Sequence, residues 1–272
     1  MFRVAFAALL SLFVSCLYAK EINVTGSTSM SRIMDVLAEK YNSEYPDTFV
    51  AIQGIGSTAG ITMVKKGVAE IGMSSRYLTD AEYDESLAVD PIAFDGLAVV
   101  VNRANTIHNL SRKQLTDIYL GNINNWKQVG GEDRIIAVVT RESSSGTRYS
   151  FESLLGLTKV VNNRLVSNIN ADNLVVNSNS MVKTIVNHNP QAIGFVSLGS
   201  VDRSIKAISF ENVEPTSQNI ANNKYELSRP FLLFHQKDDI TEQGKAFIKY
   251  VLSEKGQTLI EDYGYTGIHS SN

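Results

Sequence analysis

Short β-rich apolar runs alternate along the chain with longer stretches whose apolar residues recur at helical spacing. Ile22 to Thr25 is the first such run. Met30, Ile33, Met34, Leu37, Tyr41 and Tyr45 follow, a pattern that predicts a helix burying one face against a sheet and stopping at Pro46. Phe49 to Gln53 reads as a second strand, segment 54–60 opens another helix, and Ala69 to Met73 reads as a third strand. Thr79 and Glu82 have the spacing of a capping box, which predicts a helix beginning there. This β-α-β-α order argues for α/β layers around a mostly parallel sheet.

Two long apolar runs stand apart, Ile92 to Asn102 and Arg229 to His235. Between them lies a second α/β set: a helix from Ser111, a strand Ile135 to Thr140, a helix from about Gly146 and a strand Ala192 to Leu198. After the second long run, Thr241 to about Tyr263 reads as helical. An insertion bounded by two long strands implies two lobes joined by two crossing segments. The cleft between such lobes is a favoured place for a small ligand.

Composition narrows the class. With 272 residues, 43% hydrophobic and 19% charged, the chain is globular, not disordered, collagenous or coiled-coil. A net charge of −3 argues against a nucleic-acid partner. One cysteine excludes a disulfide scaffold and a thiolate-rich zinc site. That residue, Cys16, lies in a targeting segment: Arg3 is followed by Val4 to Leu17, apolar except for Ser11 and Ser15. The run is too short for a spanning helix, which needs about 20 residues. Residues 1–19 read as a secretory signal peptide cleaved after Ala19, giving a periplasmic protein. The rival reading is a lipoprotein signal at Phe13-Val14-Ser15-Cys16, which would leave Cys16 lipid-anchored.

Candidate chemistry lies in a repeated local device. Three times a β-rich run ends in small polar residues and a helix begins: Thr25-Gly26-Ser27-Thr28-Ser29, Gly54-Ile55-Gly56-Ser57-Thr58, and Arg141-Glu142-Ser143-Ser144-Ser145-Gly146-Thr147. Free N–H groups at a helix start carry the positive end of its dipole, glycine lets a ligand approach, and hydroxyls add uncharged donors. Together these suit an anion. Arg141 adds a guanidinium able to pair bidentately with an oxyanion. The same residues also serve as ordinary helix caps, and residue types alone leave both readings open. No P-loop, dinucleotide fingerprint or Gly-x-Ser-x-Gly elbow competes. His108, His188, His235 and His269 lack metal-ligand spacing, and Trp126 reads as core.

The motifs VTGSTSM (24–30), GIGSTAGI (54–61), AEIGMSSRYL (69–78), FDGLAVVVN (94–102), LTDIYLGNINNW (115–126), TRESSSGTR (140–148) and AIGFVSLGSV (192–201) complete the picture. So does KAFIKYVLSEKGQTLIEDYGY at 245–265. With them the chain resembles the PstS-like periplasmic phosphate-binding proteins, the capture component of ATP-driven phosphate importers. The resemblance implies a two-lobed α/β periplasmic binding protein fold of type II with two hinge-crossing strands. Lobe 1 would comprise 20–96 with 232–272, and lobe 2 would comprise 97–231. It implies non-catalytic capture of inorganic phosphate by a monomer, without metal or cofactor, for delivery to a membrane permease and its ATPase. Carried over position by position, the phosphate contacts are Thr28, Ser29, Ser57, Arg141, Ser145, Gly146 and Thr147, with Ser27 beside them. Glu142 is expected to hold or partly neutralise Arg141.

One departure bears on selectivity. Many members carry, after the third strand, an aspartate that accepts a hydrogen bond from the proton on phosphate; here that position is Ser75, followed by Arg76, and both are taken as contacts. Other oxyanions such as sulfate or molybdate, and a secreted phosphatase using a Ser or Thr nucleophile, are the alternatives.

Overall fold

The computed structural model describes residues 20–162 and 164–268. Residues 1–19, read above as a signal peptide and including Cys16, and His269 lie outside the described residues. Among the described residues no helix is long and apolar enough to cross a membrane.

The chain begins with β1 (Lys20–Gly26), α1 (Ser31–Glu44), β2 (Thr48–Gly54), α2 (Ser57–Lys65) and β3 (Ile71–Ser74). β1 pairs in parallel with both β2 and β3, so α1 and α2 are the crossover helices that parallel pairing requires. Ile33, Met34, Leu37, Ala38 and Tyr41 form the buried stripe of α1, as their spacing predicts.

Residues 79–82 do not start a helix, contrary to the capping-box reading. Half of the box forms: the Thr79 N–H donates to Glu82 Oε2 at 2.9 Å. The Thr79 hydroxyl, however, donates to the same carboxylate at 3.0 Å instead of capping Glu82. The chain then runs through exposed polar Asp84, Glu85 and Ser86, which offer a helix no face to bury.

The long strand β4 (Leu87–Val101) follows. Next come β5 (Asn109–Leu110), α3 (Arg112–Leu120), β6 (Ala137–Arg141), α4 (Gly146–Leu155), the β7 (Thr158–Val161) and β8 (Arg164–Ser167) hairpin, and β9 (Leu174–Val176). Then come α5 (Asn179–His188), β10 (Ala192–Ser197), β11 (Lys206–Ala207), β12 (Ser209–Phe210) and α6 (Ser217–Ala221). The chain returns through β13 (Ser228–Gln236) and ends with α7 (Glu242–Leu252), α8 (Glu254–Asp262) and β14 (Thr266–Gly267). The single C-terminal helix expected from the sequence is broken at Ser253, whose extended backbone (ψ 162°) ends α7 while its hydroxyl caps α8.

The strands lie in the order β2-β1-β3-β13-β4-β10-β6-β9. β4 serves two sheets: its first part pairs antiparallel with β13, and residues 97–101 pair antiparallel with β10. The core changes along the same strand. Ile92 and Ala93 pack with Ile22, Met34, Leu37, Phe231 and Phe247. Leu97, Val99 and Val101 pack with Tyr119, Trp126, Phe151 and Phe195. Ala98 and Val100 face the other way, onto Val139 and Val182, as the two-residue period of a strand dictates. One core on the first part of the strand and two on the opposite faces of its last part make a two-lobed α/β fold, and the loops that end β1, β2, β3 and β6 meet between the lobes.

Candidate anion-binding site

Each loop arrives at the interface for a local reason. β1, β2 and β3 end on one edge because parallel crossovers join them, whereas β6, which pairs with β10 beyond the antiparallel strands β13 and β4, runs the opposite way and brings its C-terminal end to the interface from the other lobe. In open α/β sheets the C-terminal ends of the strands are where ligands bind. Gly56 takes φ 95° before α2, a conformation that glycine adopts without strain, and α2 has no side-chain cap. α1 also lacks a side-chain cap, whereas Ser145 caps α4 by accepting from the Arg148 N–H. Helix starts without caps keep first-turn N–H groups for a ligand.

Hydroxyls from both lobes meet here and are buried. Ser27 Oγ donates to Ser75 Oγ at 2.8 Å, and Ser57 Oγ lies 3.4 Å from the same atom. The Ser75 N–H donates to Ser57 Oγ at 3.1 Å. Across the interface, Ser29 Oγ and Thr147 Oγ1 share a 2.6 Å hydrogen bond. Gly146 packs so tightly on lobe 1 that a Cβ there would lie 2.3 Å from Ser57 Oγ and 2.7 Å from Ser75 Oγ.

Arg141, at the end of β6, is 0% exposed. Its Nη2 donates to Thr28 Oγ1 at 2.9 Å, again across the lobes. Glu142 holds it through Nε and Nη2 at 2.9 and 3.0 Å, as the sequence led us to expect. This leaves a desolvated guanidinium fixed in direction by its own carboxylate.

Thr28, Ser29, Ser27, Ser57, Ser75, Arg141, Gly146 and Thr147 are thus brought together, with Ser145 at the start of α4 beside them. Arg76 is directed elsewhere. Its guanidinium donates to both Glu82 oxygens at 2.6 Å, to the Tyr77 carbonyl at 2.9 Å and to Thr58 Oγ1 at 3.1 Å. It also lies 4.7 Å from the centre of the Tyr149 ring, on the opposite lobe. Burial alone would raise the Glu82 carboxyl, but hydrogen bonds from Arg76 and Thr79 outweigh it and hold the group below its ordinary value. A carboxyl lowered on folding stabilises the fold above its unfolded pKa of about 4.3, and that contribution disappears as pH falls through the lowered value. Melting curves between about pH 5 and pH 3 should therefore drop more steeply for the parent protein than for Glu82→Gln. Equal slopes would contradict the assignment.

Sequence reasoning missed three polar residues at this site. Asn179 accepts from Arg141 Nη1 at 3.2 Å and donates to Ser29 Oγ at 3.1 Å and to Ser200 Oγ at 3.2 Å. Its signal was present: the polar run 177–180 after Leu174–Val176 is a fourth copy of the strand-to-helix device. Asp95 and Arg229 are the other two. They sit opposite each other in register on β4 and β13 and form a buried ion pair at 2.8 Å. Each is the one charged residue of its long apolar run, Ile92 to Asn102 and Arg229 to His235, a complementarity visible only once the strands are paired.

Comparison with known proteins agrees with this geometry. The model of the PBP superfamily domain matches residues 18–255. The phosphate-binding protein PstS of Borreliella burgdorferi is 31% identical over 253 residues, covering 92% of this chain and 90% of the relative. An ABC-type phosphate transport receptor from Vibrio cholerae is 62% identical, with a TM-score of 0.77 over 90% of this chain and 99% of that one. A putative phosphate ABC transporter substrate-binding protein with bound phosphate, from Clostridium perfringens, is 36% identical, with a TM-score of 0.86 over 92% of this chain and 100% of that one. A chain that folds into two lobes around such loops, and matches these relatives over nearly its whole length, belongs to the PBP superfamily and, within it, to the PstS-type phosphate-binding proteins.

Proposed function

We propose that this protein captures one inorganic phosphate between its lobes and delivers it to an ABC importer. The carrying observation is that small polar side chains of both lobes meet across the interface, Ser29 on Thr147 and Thr28 on the buried Arg141. Homologues named PstS, and a relative holding phosphate, support the same reading. The lobes divide as 20–96 with 232–272 and 97–231. The ligand contacts are Thr28, Ser29, Ser57, Ser75, Arg141, Ser145, Gly146 and Thr147, with Ser27 supporting Ser75. Capture is non-catalytic and takes place outside the cytoplasmic membrane, and the closed monomer is the form that the permease receives.

Magnitudes are sufficient. A hydrogen bond to a charged group contributes roughly 1.5–3 kcal/mol, and micromolar binding needs about 8 kcal/mol. About six such bonds reach that even at the low end of the range, which leaves room for the cost of ordering the lobes. Similarity also runs against sequence identity: 0.86 to the phosphate-bound relative at 36%, but 0.77 to the relative at 62%. A hinge between rigid lobes accounts for that inversion. It supports reading the present arrangement as close to the ligand-holding one, which phosphate would favour by population shift.

Selectivity rests on Ser75. Its hydroxyl, with Ser27 and Ser57 beside it, retains lone pairs that can accept a hydrogen bond from the O–H of hydrogen phosphate. Sulfate at neutral pH offers no such proton. Titration of phosphate in the presence of sulfate should show weak competition, and displacement by equimolar sulfate would overturn the claim. Molybdate in the same assay separates the remaining oxyanion reading.

A further inference from the structure

Arg229 is a buried cation that the capture reading does not use. It sits on β13, and its Nε and Nη2 donate to Asp95 Oδ2 at 3.1 and 2.8 Å. Asp95 is completed by Ser197 Oγ at 2.9 Å and the Leu198 N–H at 3.1 Å. Burial pushes the carboxyl up, while Arg229 and these donors pull it back. The remaining nitrogen, Nη1, turns toward the anion-binding loops. It donates to Thr147 Oγ1 at 2.8 Å and to the Ser75 carbonyl at 3.3 Å.

The hydrogen bonds then run without a break from the hinge to the other guanidinium. They pass from Asp95 through Arg229, Thr147, Ser29 and Asn179 to Arg141. Their directions follow from chemistry. A guanidinium only donates, so the Asn179 atom facing Arg141 is its oxygen, and its NH₂ must face Ser29. Thr147 and Ser29 therefore each receive a bond from outside the pair. Between them they hold two hydroxyl protons, and their mutual bond uses one. The other proton has no acceptor within the pair and is left for a ligand oxygen.

We propose that Arg229, oriented by Asp95, is a positioning residue that makes the Thr147–Ser29 pair a hydrogen-bond donor to phosphate. This inference rests on the phosphate reading above. It assigns the two crossing strands a part in ligand recognition as well as in the hinge. It also distinguishes the two sides of the site: the Thr147–Ser29 side is loaded as a donor, and the Ser27–Ser75–Ser57 side, whose hydroxyls no guanidinium loads, keeps accepting capacity beside its one remaining hydroxyl proton.

The test is calorimetric titration of phosphate into the parent protein, Arg229→Lys, Thr147→Val and the combined variant, with melting recorded for each. A lysine keeps a cation beside Asp95 but cannot fork between Asp95 and Thr147. Arg229→Lys should melt near the parent and bind phosphate about tenfold more weakly. Added to Thr147→Val, it should cost less than about threefold further, because the group it acts through is gone. A merely structural arginine would leave affinity unchanged or give losses that multiply in full, and either result overturns the proposal. If Arg229→Lys does not fold, the parent still decides. The Arg229 side-chain proton signals in a nitrogen-labelled NMR spectrum should shift on phosphate saturation, and unmoved signals overturn the proposal. A parent that gives no heat with phosphate overturns the capture reading itself, and this inference with it.

Discussion

Arg141→Ala is expected to weaken phosphate binding by at least about tenfold, since a lost charge-assisted hydrogen bond removes roughly 1.5–3 kcal/mol. Two effects combine in that loss. With Arg76 turned to Glu82, the guanidinium is the one cationic group among the proposed contacts, and it is buried. Its removal also leaves Glu142, which now spends both oxygens on Arg141, as an unpaired negative charge near an incoming anion. Arg141→Ala/Glu142→Gln should therefore recover part of the affinity that Arg141→Ala loses. Calorimetry on the three proteins reads both effects. Unchanged affinity in Arg141→Ala would contradict its role as a contact, and no recovery in the double variant would contradict the role given to Glu142.

Gly146→Ala should cost at least as much, by a different route. The new methyl group would meet Ser57 Oγ at 2.3 Å, Ser75 Oγ at 2.7 Å and Ser57 Cβ at 3.0 Å. Those atoms belong to the opposite lobe, so the clash exists only when the lobes are closed. Either the lobes stay apart or the serine hydroxyls turn away, and both outcomes remove donors from the anion. The separate lobes lose nothing, and the backbone at Gly146 does not require glycine, because it begins an ordinary helix turn. Melting without phosphate should be nearly unchanged, while the stabilisation that phosphate adds to the parent should largely vanish. A variant still stabilised by phosphate like the parent would show that closure does not bring these loops together.

Much of this was legible in the sequence where the signal is local. The stripe of α1, the Ser111 cap of α3 and the helix start at Gly146 follow from spacing and capping alone. The polar loops stood out because serine, threonine and glycine cluster there against apolar strands. The helix expected at Thr79 failed although the capping spacing is present: Glu82 is taken by Arg76 and Thr79 together, and no apolar face follows. Arg76 itself was assigned by adjacency to Ser75, but the chain bends at 75–76 and the Arg76 guanidinium turns to Glu82 and Thr58. Asp95 and Arg229 are 134 residues apart, and only the register of β4 on β13 shows that they face each other. Long-range pairing of that kind leaves no trace in a local pattern.

The central claim is that groups from both lobes enclose one tetrahedral anion. A crystal structure of the protein grown with phosphate tests it most directly. The account predicts a single phosphate within hydrogen-bonding distance of Arg141, Thr28, Ser57 and the start of α4, with the lobes closed over it. Phosphate bound on an outer face, or an empty cleft in a protein that calorimetry shows to be saturated, would contradict it.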